Sequence, residues 1–580
     1  MTHVALDLQA DFVEKRLSGT ATLTVDRQPG ATELVLDTGN LEILRVTDRR
    51  GAALAYALAE EDSILGRALI VTLPAPTEPV VVTYRTAPTS AALQWLTPEQ
   101  TAGKRLPFLY SQGQAILART WIPTQDSPGI RQTYEARIAV PAELRAVMSA
   151  ESLTPDGTLV GQDRAFEFRL TEAIPPYLIA LAVGDIRSQS LGPRSGVYAE
   201  PAVLKAAAFE FADLEQMVEA AESLLGPYRW GRYDLLVLPP SFPFGGMENP
   251  RLTFATPTVI AGDRSLVSLA AHELAHSWSG NLVTHATWSD FWLNESVTTY
   301  VERRIMEAIY GVERAEILEV LAWRDLQEEM KRLGGPSSRD TVLHIDLEGR
   351  DPDDGATLIP YEKGAALLRL MELTVGRPSF DTYLRSYIDR HAFQPITTAA
   401  FLADVRANLV RGDPALEAKL RLDEWAYQPG LPPNAIEPRS AALDRVEAAA
   451  RAFAAGTTAS SLKAHAWGTQ EWQYFLGALP DALSPAQLAD LDDTFGLTGK
   501  GNSEVLFAWL RIAVRHHYAP AMPALERFLT SQGRRKFLRP LYGDLCARTW
   551  GKPEAKRIYA EARPLYHSAV TSTLDAMLAE

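Results

Sequence analysis

The period of the apolar pattern changes twice along this 580-residue chain, and no single layered architecture accommodates three periods. Up to about residue 185, apolar residues alternate with polar ones or form short β-rich runs, as at 20–25, 69–73, 80–84 and 166–170. This spacing predicts strands, hence a β-rich first domain. Between about 197 and 390, helical stretches at 202–225 and 266–279 alternate with short apolar runs such as 235–238, which predicts a mixed α/β middle domain. The segment QPGLPPNAIEP at 428–438 concentrates proline and glycine and reads as a linker. Beyond it, Ala- and Leu-rich stretches at 441–455, 483–495 and 503–514 carry helical spacing, which predicts a last domain of stacked helix pairs. The expected division is 1–187, 188–432 and 439–580, a multidomain α+β chain with several sizeable cores.

Composition excludes some functions. Hydrophobic residues make up 46% and charged residues 22%, the balance of a folded globular protein. The net charge of −15, with no dense Lys/Arg cluster, speaks against nucleic acid and anionic membrane as partners, while a cationic substrate is tolerated. The one cysteine, Cys546, excludes an intrachain disulfide and a cysteine-rich metal cluster. The first residues, MTHVALDLQADFVEKRL, lack the basic start and apolar run of a signal peptide. No apolar run approaches the ~20 residues of a membrane span. The expectation is a soluble, cytoplasmic, monomeric protein.

Metal chemistry is suggested by AAHELAHSWS at 270–279. His272 and His276 are four apart, which puts both imidazoles on one face of a helix, able to grip one ion. Glu273 lies between them, close enough to reach a water on that ion yet turned from direct ligation, the position of a general base. WLNES at 292–296 offers Glu295 as third ligand, after eighteen intervening residues that give room for a turn and a second helix. Two imidazoles and one carboxylate leave a fourth position for water, as in a catalytic zinc site. The plainer alternative is an amphipathic helix whose histidines are satisfied by hydrogen bonds. Asp290 and Glu302 either orient the ligand imidazoles or are solvated helix charges.

With these residues in place, the chain resembles the zinc aminopeptidases of family M1, and the wording from LPPSFPFGGMENPRLTFATPT through HELAHSWSGNLVT to DFWLNES resembles the leukotriene A4 hydrolase branch. The resemblance implies a saddle-like first domain, a thermolysin-like catalytic domain, a helical-repeat last domain and one Zn2+ per chain. It implies that Glu248 in PFGGMENP binds the free amino group of a peptide, beside Gly245, Gly246 and Met247. Gln112 and Gln114 in YSQGQA match pocket-lining glutamines, and Tyr361 in PYEKG matches the tyrosine that stabilises the oxyanion. Arg534 and Lys536 in GRRKF match a carboxylate-recognition segment. Asp353 matches an acidic residue that the branch uses for epoxide hydrolysis and for basic side chains. The chain departs from the branch at Ala356, where a second tyrosine linked to the lipid epoxide is expected.

Residue chemistry fits these roles: a tyrosine hydroxyl donates to an oxyanion without fixed charge, paired glycines admit a peptide backbone, and an exopeptidase needs an anion for the substrate ammonium. Each feature also has a plainer reading, as a structural tyrosine, an ordinary turn, a solvated glutamate or a solvated basic run. The function expected is removal of single residues from the free N-terminus of peptides. An epoxide hydrolase and a catalytically idle scaffold are the alternatives.

Overall fold

The computed structural model describes residues 1–73 and 79–579. In the first domain the strand His3–Asp11 buries Val4, Leu6, Leu8 and Ala10 on one face, the period of two expected of a half-buried strand. It pairs antiparallel with Arg16–Thr24 and parallel with Gln132–Pro141, at the centre of an eight-stranded sheet. Smaller sheets of three and four strands complete this β-rich domain.

The middle domain is built on a five-stranded sheet whose order is Arg187–Ser190, Ser195–Ala199, Tyr233–Val237, Leu252–Ala255 and Gly246–Met247. The edge strand Gly246–Met247 runs antiparallel to its neighbour, with Gly246 opposite Ala255. The helix Ser268–Ala275 packs on this sheet, Trp292–Tyr310 packs on that helix, and Val312–Arg332 and Gly364–Val375 pack on Trp292–Tyr310.

Two helical expectations need correction. The stretch 202–225 is two helices, Pro201–Glu210 and Leu214–Leu225. No Gly or Pro breaks it; instead Asp213, at the turn, pairs with Arg264 at 3.2 Å and accepts from Tyr310 Oη at 2.8 Å, so tertiary partners override local propensity. The stretch 266–279 is regular only over Ser268–Ala275, after which the chain turns and the Asn281 N–H bonds the His276 carbonyl at 2.9 Å.

The first two domains share one continuous apolar core running from Val4 to Ala426, rather than a core each. Residues 428–440 contain no helix or strand, and the chain then becomes all-helical, from Ala441–Ala454 to Ser568–Ala579. Successive helices pack on one another around two further clusters, one of which takes in Ile317 from the middle domain. The last domain also reaches back to the first. Gln100 Nε2 donates to the Pro564 carbonyl at 3.2 Å, and the His567 ring stacks on Tyr110 with centroids 6.1 Å apart. Among the described residues, no helix is long and apolar enough to cross a membrane.

Candidate metal centre and substrate cleft

The helix Ser268–Ala275 ends at the residue before His276, so His272 and His276 stand one turn apart with ring centroids separated by 4.9 Å. The next long helix, Trp292–Tyr310, presents Glu295 from its first turn. Glu295 Oε2 lies 3.3 Å from His272 Nε2 and 3.4 Å from His276 Nε2. The other ring nitrogens are engaged: His272 Nδ1 with Glu302 Oε2 at 3.0 Å, and His276 Nδ1 with the Ser279 carbonyl at 2.9 Å. Such partners fix each tautomer and leave Nε2 facing the cluster. The turn that brings Ser279 back needs Gly280, at φ +130°, where a Cβ would stand 2.7 Å from His276 Nδ1.

This donor set fits a zinc ion. Two Nε2 atoms and one carboxylate oxygen converge within 4.8 Å of one another, and Glu295 Oε2 is buried without a hydrogen-bond partner. The electrostatics also call for a cation. Burial opposes charge on Glu295, but His276 and His272 outweigh it and draw its pKa down to about 2. Burial likewise disfavours a charged His276, while Glu295 and Glu248 lift it to about 9. A metal ion bound here would compete with protons for the two imidazoles.

Glu273, on the same helix, lies against the edge strand and close to His276. A Cβ on Gly246 would lie 2.2 Å from Glu273 Oε1, so glycine is what admits this carboxylate. Burial pushes Glu273 up to about 8, against the pull of His272 and His276. Glu248, at the end of that strand, is buried, and its Oε1 has no partner. Its backbone is anchored by Asn281, whose Nδ2 donates to the Glu248 carbonyl at 2.8 Å. Glu248, Glu273 and His276 also converge within 4.8 Å, but they share His276 with the first triad.

Tyr361 lies in a π-helical turn, Ile359–Lys363. Its ring stacks on His272 at 5.8 Å and meets Phe291 edge-on at 6.1 Å. Burial first, then Glu295 and Glu248, hold the phenol far above its usual pKa. Gln112 is buried with Nε2 3.1 Å from Met247 Sδ, against the GGMEN loop, and Gln114 follows two residues later, half-buried. Asp353 is held beside that segment by the Ala115 N–H; burial, then Asp351, raise its pKa to about 6. Ala356, three residues on, is exposed.

Arg534 leads into the helix Arg535–Cys546, and its Nη2 would lie 3.0 Å from a Cβ on Gly245, so this arginine of the helical domain borders the same loop. Its Nη1 donates to Thr258 Oγ1 and to Glu504 Oε1, both at 3.2 Å. Lys536 is tied to the same carboxylate, Nζ to Glu504 Oε1 at 2.8 Å.

Several residues here escaped the sequence reading. Glu504 has the appearance of surface charge on an amphipathic helix, yet it is buried as the counter-ion of Arg534 and Lys536. Thr298 and Asn281 are visible only through contacts distant in sequence, although NLVT directly follows the metal helix. Of the two acids weighed as partners of the imidazoles, Glu302 touches His272, whereas Asp290 bonds Thr398 and His344 instead.

Comparison with known proteins adds lineage. The model described as "Peptidase M1 N-terminal domain" matches residues 1–178, "Peptidase family M1 domain" matches 209–417, and "Leukotriene A4 hydrolase, C-terminal" matches 467–578. The chain is 38% identical to a leukotriene A-4 hydrolase of Xenopus laevis over 94% of this chain and 91% of that protein. It is 36% identical to aminopeptidase B of Mus musculus over 100% of this chain and 94% of that one. Its fold matches yeast LTA4 hydrolase in complex with bestatin with a TM-score of 0.92 at 31% identity, covering 100% of this chain and 95% of that chain.

Proposed function

The chain belongs to peptidase family M1, and from that premise we propose that it removes single residues from the free N-terminus of peptides, with one Zn2+ held by His272, His276 and Glu295. The observation that carries the reading is the unpartnered, buried carboxylate oxygen of Glu248 beside the metal ligands. Glu248, Glu273 and Glu295 are three buried carboxylates, each grouped with His276. With a cation held by Glu295 and the imidazoles, the Glu248 carboxylate oxygen is still without a partner, and a substrate ammonium supplies one.

A zinc ion in this site supplies Lewis acidity, lowering the pKa of a water and polarising the scissile carbonyl. The chain's own groups do the rest. Glu302 and the Ser279 carbonyl hold the imidazoles with Nε2 inward. Glu248 takes the ammonium, with Gln112 and Gln114 lining the pocket, so chain position rather than side-chain identity selects the bond. Glu273 removes a proton from the attacking water and returns it to the leaving amine. Tyr361, kept protonated by its surroundings, donates to the developing oxyanion, a role worth a few kcal/mol. The edge strand Gly246–Met247 offers unpaired backbone groups to an extended peptide, beside Gly245. Asp353 faces a basic first residue, and Arg534 and Lys536 face the carboxylate of a short peptide. The single cysteine suits a reducing cytoplasm.

The test is hydrolysis of N-terminal aminoacyl chromogenic amides, each paired with its N-acetylated counterpart, before and after zinc chelation. Free amines cut, blocked ones spared and activity restored by zinc is the expected result. Cleavage of blocked substrates, or activity indifferent to chelation, overturns it. A lipid epoxide hydrolase is the second reading, favoured by the match of the last domain and by Asp353. Ala356 brings no hydroxyl to that reaction; turnover of a lipid epoxide at a rate matching peptide cleavage would establish it.

A further inference from the structure

A π turn carries one residue more than an α turn and is costly to hold, so it persists where the surroundings fix it. The turn Ile359–Lys363 is fastened by each of the three residues that follow Tyr361. Glu362 pairs with Arg303, on the same helix as Glu295. Gly364 packs so closely on that helix that a Cβ would stand 2.3 Å from Ser296 Cβ. Lys363 reaches the other way: Nζ donates to the Thr341 carbonyl at 2.9 Å and to the Gln428 carbonyl at 2.8 Å. Gly430 N–H bonds Thr341 Oγ1 at 2.9 Å, so the ammonium closes a knot between the 341 loop and the start of the interdomain linker.

Lys363 is 0% exposed and has no carboxylate partner among the described residues. Burial alone draws its pKa down to about 7. An amine buried without a counter-ion is expensive, and such groups concentrate where function demands them. Its neighbour two residues back is the phenol stacked on His272. Relaxing the turn to α geometry removes one residue from the register and swings Tyr361 by about 100° around the helix axis.

We propose that Lys363 is a positioning residue for Tyr361, pinning its turn to the 341 loop and the linker so that the phenol stands over the metal ligands. The inference rests on the oxyanion role assigned above to Tyr361. It also makes the linker, through Gln428, part of what sets the reaction geometry.

A double-mutant cycle tests it, with kcat and KM measured on an aminoacyl amide for wild type, Lys363→Met, Tyr361→Phe and the double variant, at matched zinc content. Lys363→Met is expected to lower kcat at least tenfold with KM within twofold, and to cost nothing further when Tyr361 is already phenylalanine. Lys363→Gln, one atom shorter but still a donor, carries the same comparison if methionine prevents folding, and should recover part of the rate. Equal losses in both backgrounds, or wild-type kcat in the folded single variant, overturn the proposal. If Tyr361→Phe itself keeps full kcat, the oxyanion role falls and the proposal with it; if Tyr361→Phe is impaired and the two losses add, only the proposal falls.

Discussion

Replacing Gly246 by alanine tests the placement of the general base without touching it. The new methyl would stand 2.2 Å from Glu273 Oε1, 2.4 Å from Cδ and 2.6 Å from Cγ. Non-bonded heavy atoms prefer about 3.5 Å, so the carboxylate must retreat by about 1 Å or more. A displacement of about 1 Å in a catalytic group costs about a hundredfold, or about 2.7 kcal/mol of barrier. The backbone at 246 is outside the positive-φ region, so alanine fits the strand itself, and the atoms that must move belong to a short side chain. The expectation is therefore kcat down about a hundredfold with zinc content and melting temperature near wild type. Steady-state kinetics, metal analysis and a thermal scan on the same preparation read all three. Gly245→Ala is the control: the nearest atoms to its methyl are Arg534 Nη2 and Leu269 Cδ1, each at 3.0 Å, and it should cost less than about tenfold on an amide. Wild-type kcat in Gly246→Ala, or a loss that tracks missing zinc, would refute the reasoning.

Glu302→Gln removes the charged partner of His272 Nδ1 and should weaken zinc affinity about 10- to 100-fold, read by competition with a chelator. Asp353 should impose a pH dependence on specificity. Because its folded pKa is raised to about 6, its anion forms only above that pH, so kcat/KM for arginyl over leucyl amides should rise through pH 6. Asp353→Asn should flatten that ratio; an unchanged ratio profile would remove Asp353 from the pocket. Arg534→Ala should raise KM for tripeptides with a free C-terminus about tenfold and leave aminoacyl amides unaffected, with Lys536 still neutralising Glu504.

What the sequence disclosed followed the range of each interaction. The four-residue spacing of His272 and His276 is a local helical fact, and Glu295 was reachable because a turn and a helix fit in the gap. The three-part change of period likewise marked a β-rich, a mixed and a helical domain. The break at 211–213 was hidden because Asp213 takes its partners from Arg264 and Tyr310, far along the chain. Glu504 was hidden for the same reason: burial of a charge is decided by which helix faces meet, and periodicity marks a face without naming its neighbour. Lys363 shows the limit most plainly, since its partners are backbone carbonyls, which carry no side-chain signature.

The continuous interior from Val4 to Ala426 bears on how such a chain can be inherited. A recombination break near residue 187 would split one apolar mass and lay both faces open to water, so the β-rich half and the metal-binding half travel as a single heritable unit. A break just beyond residue 438 keeps that interior whole, with Leu431 and Ala435 still packed on it, and parts the helical domain from the buried Ile317 and the partly buried Val320 and Leu321. What lies beyond the linker, with Arg534 and Lys536, meets that unit through contacts such as Gln100–Pro564 and Arg534–Thr258, while the metal ligands all lie within the unit.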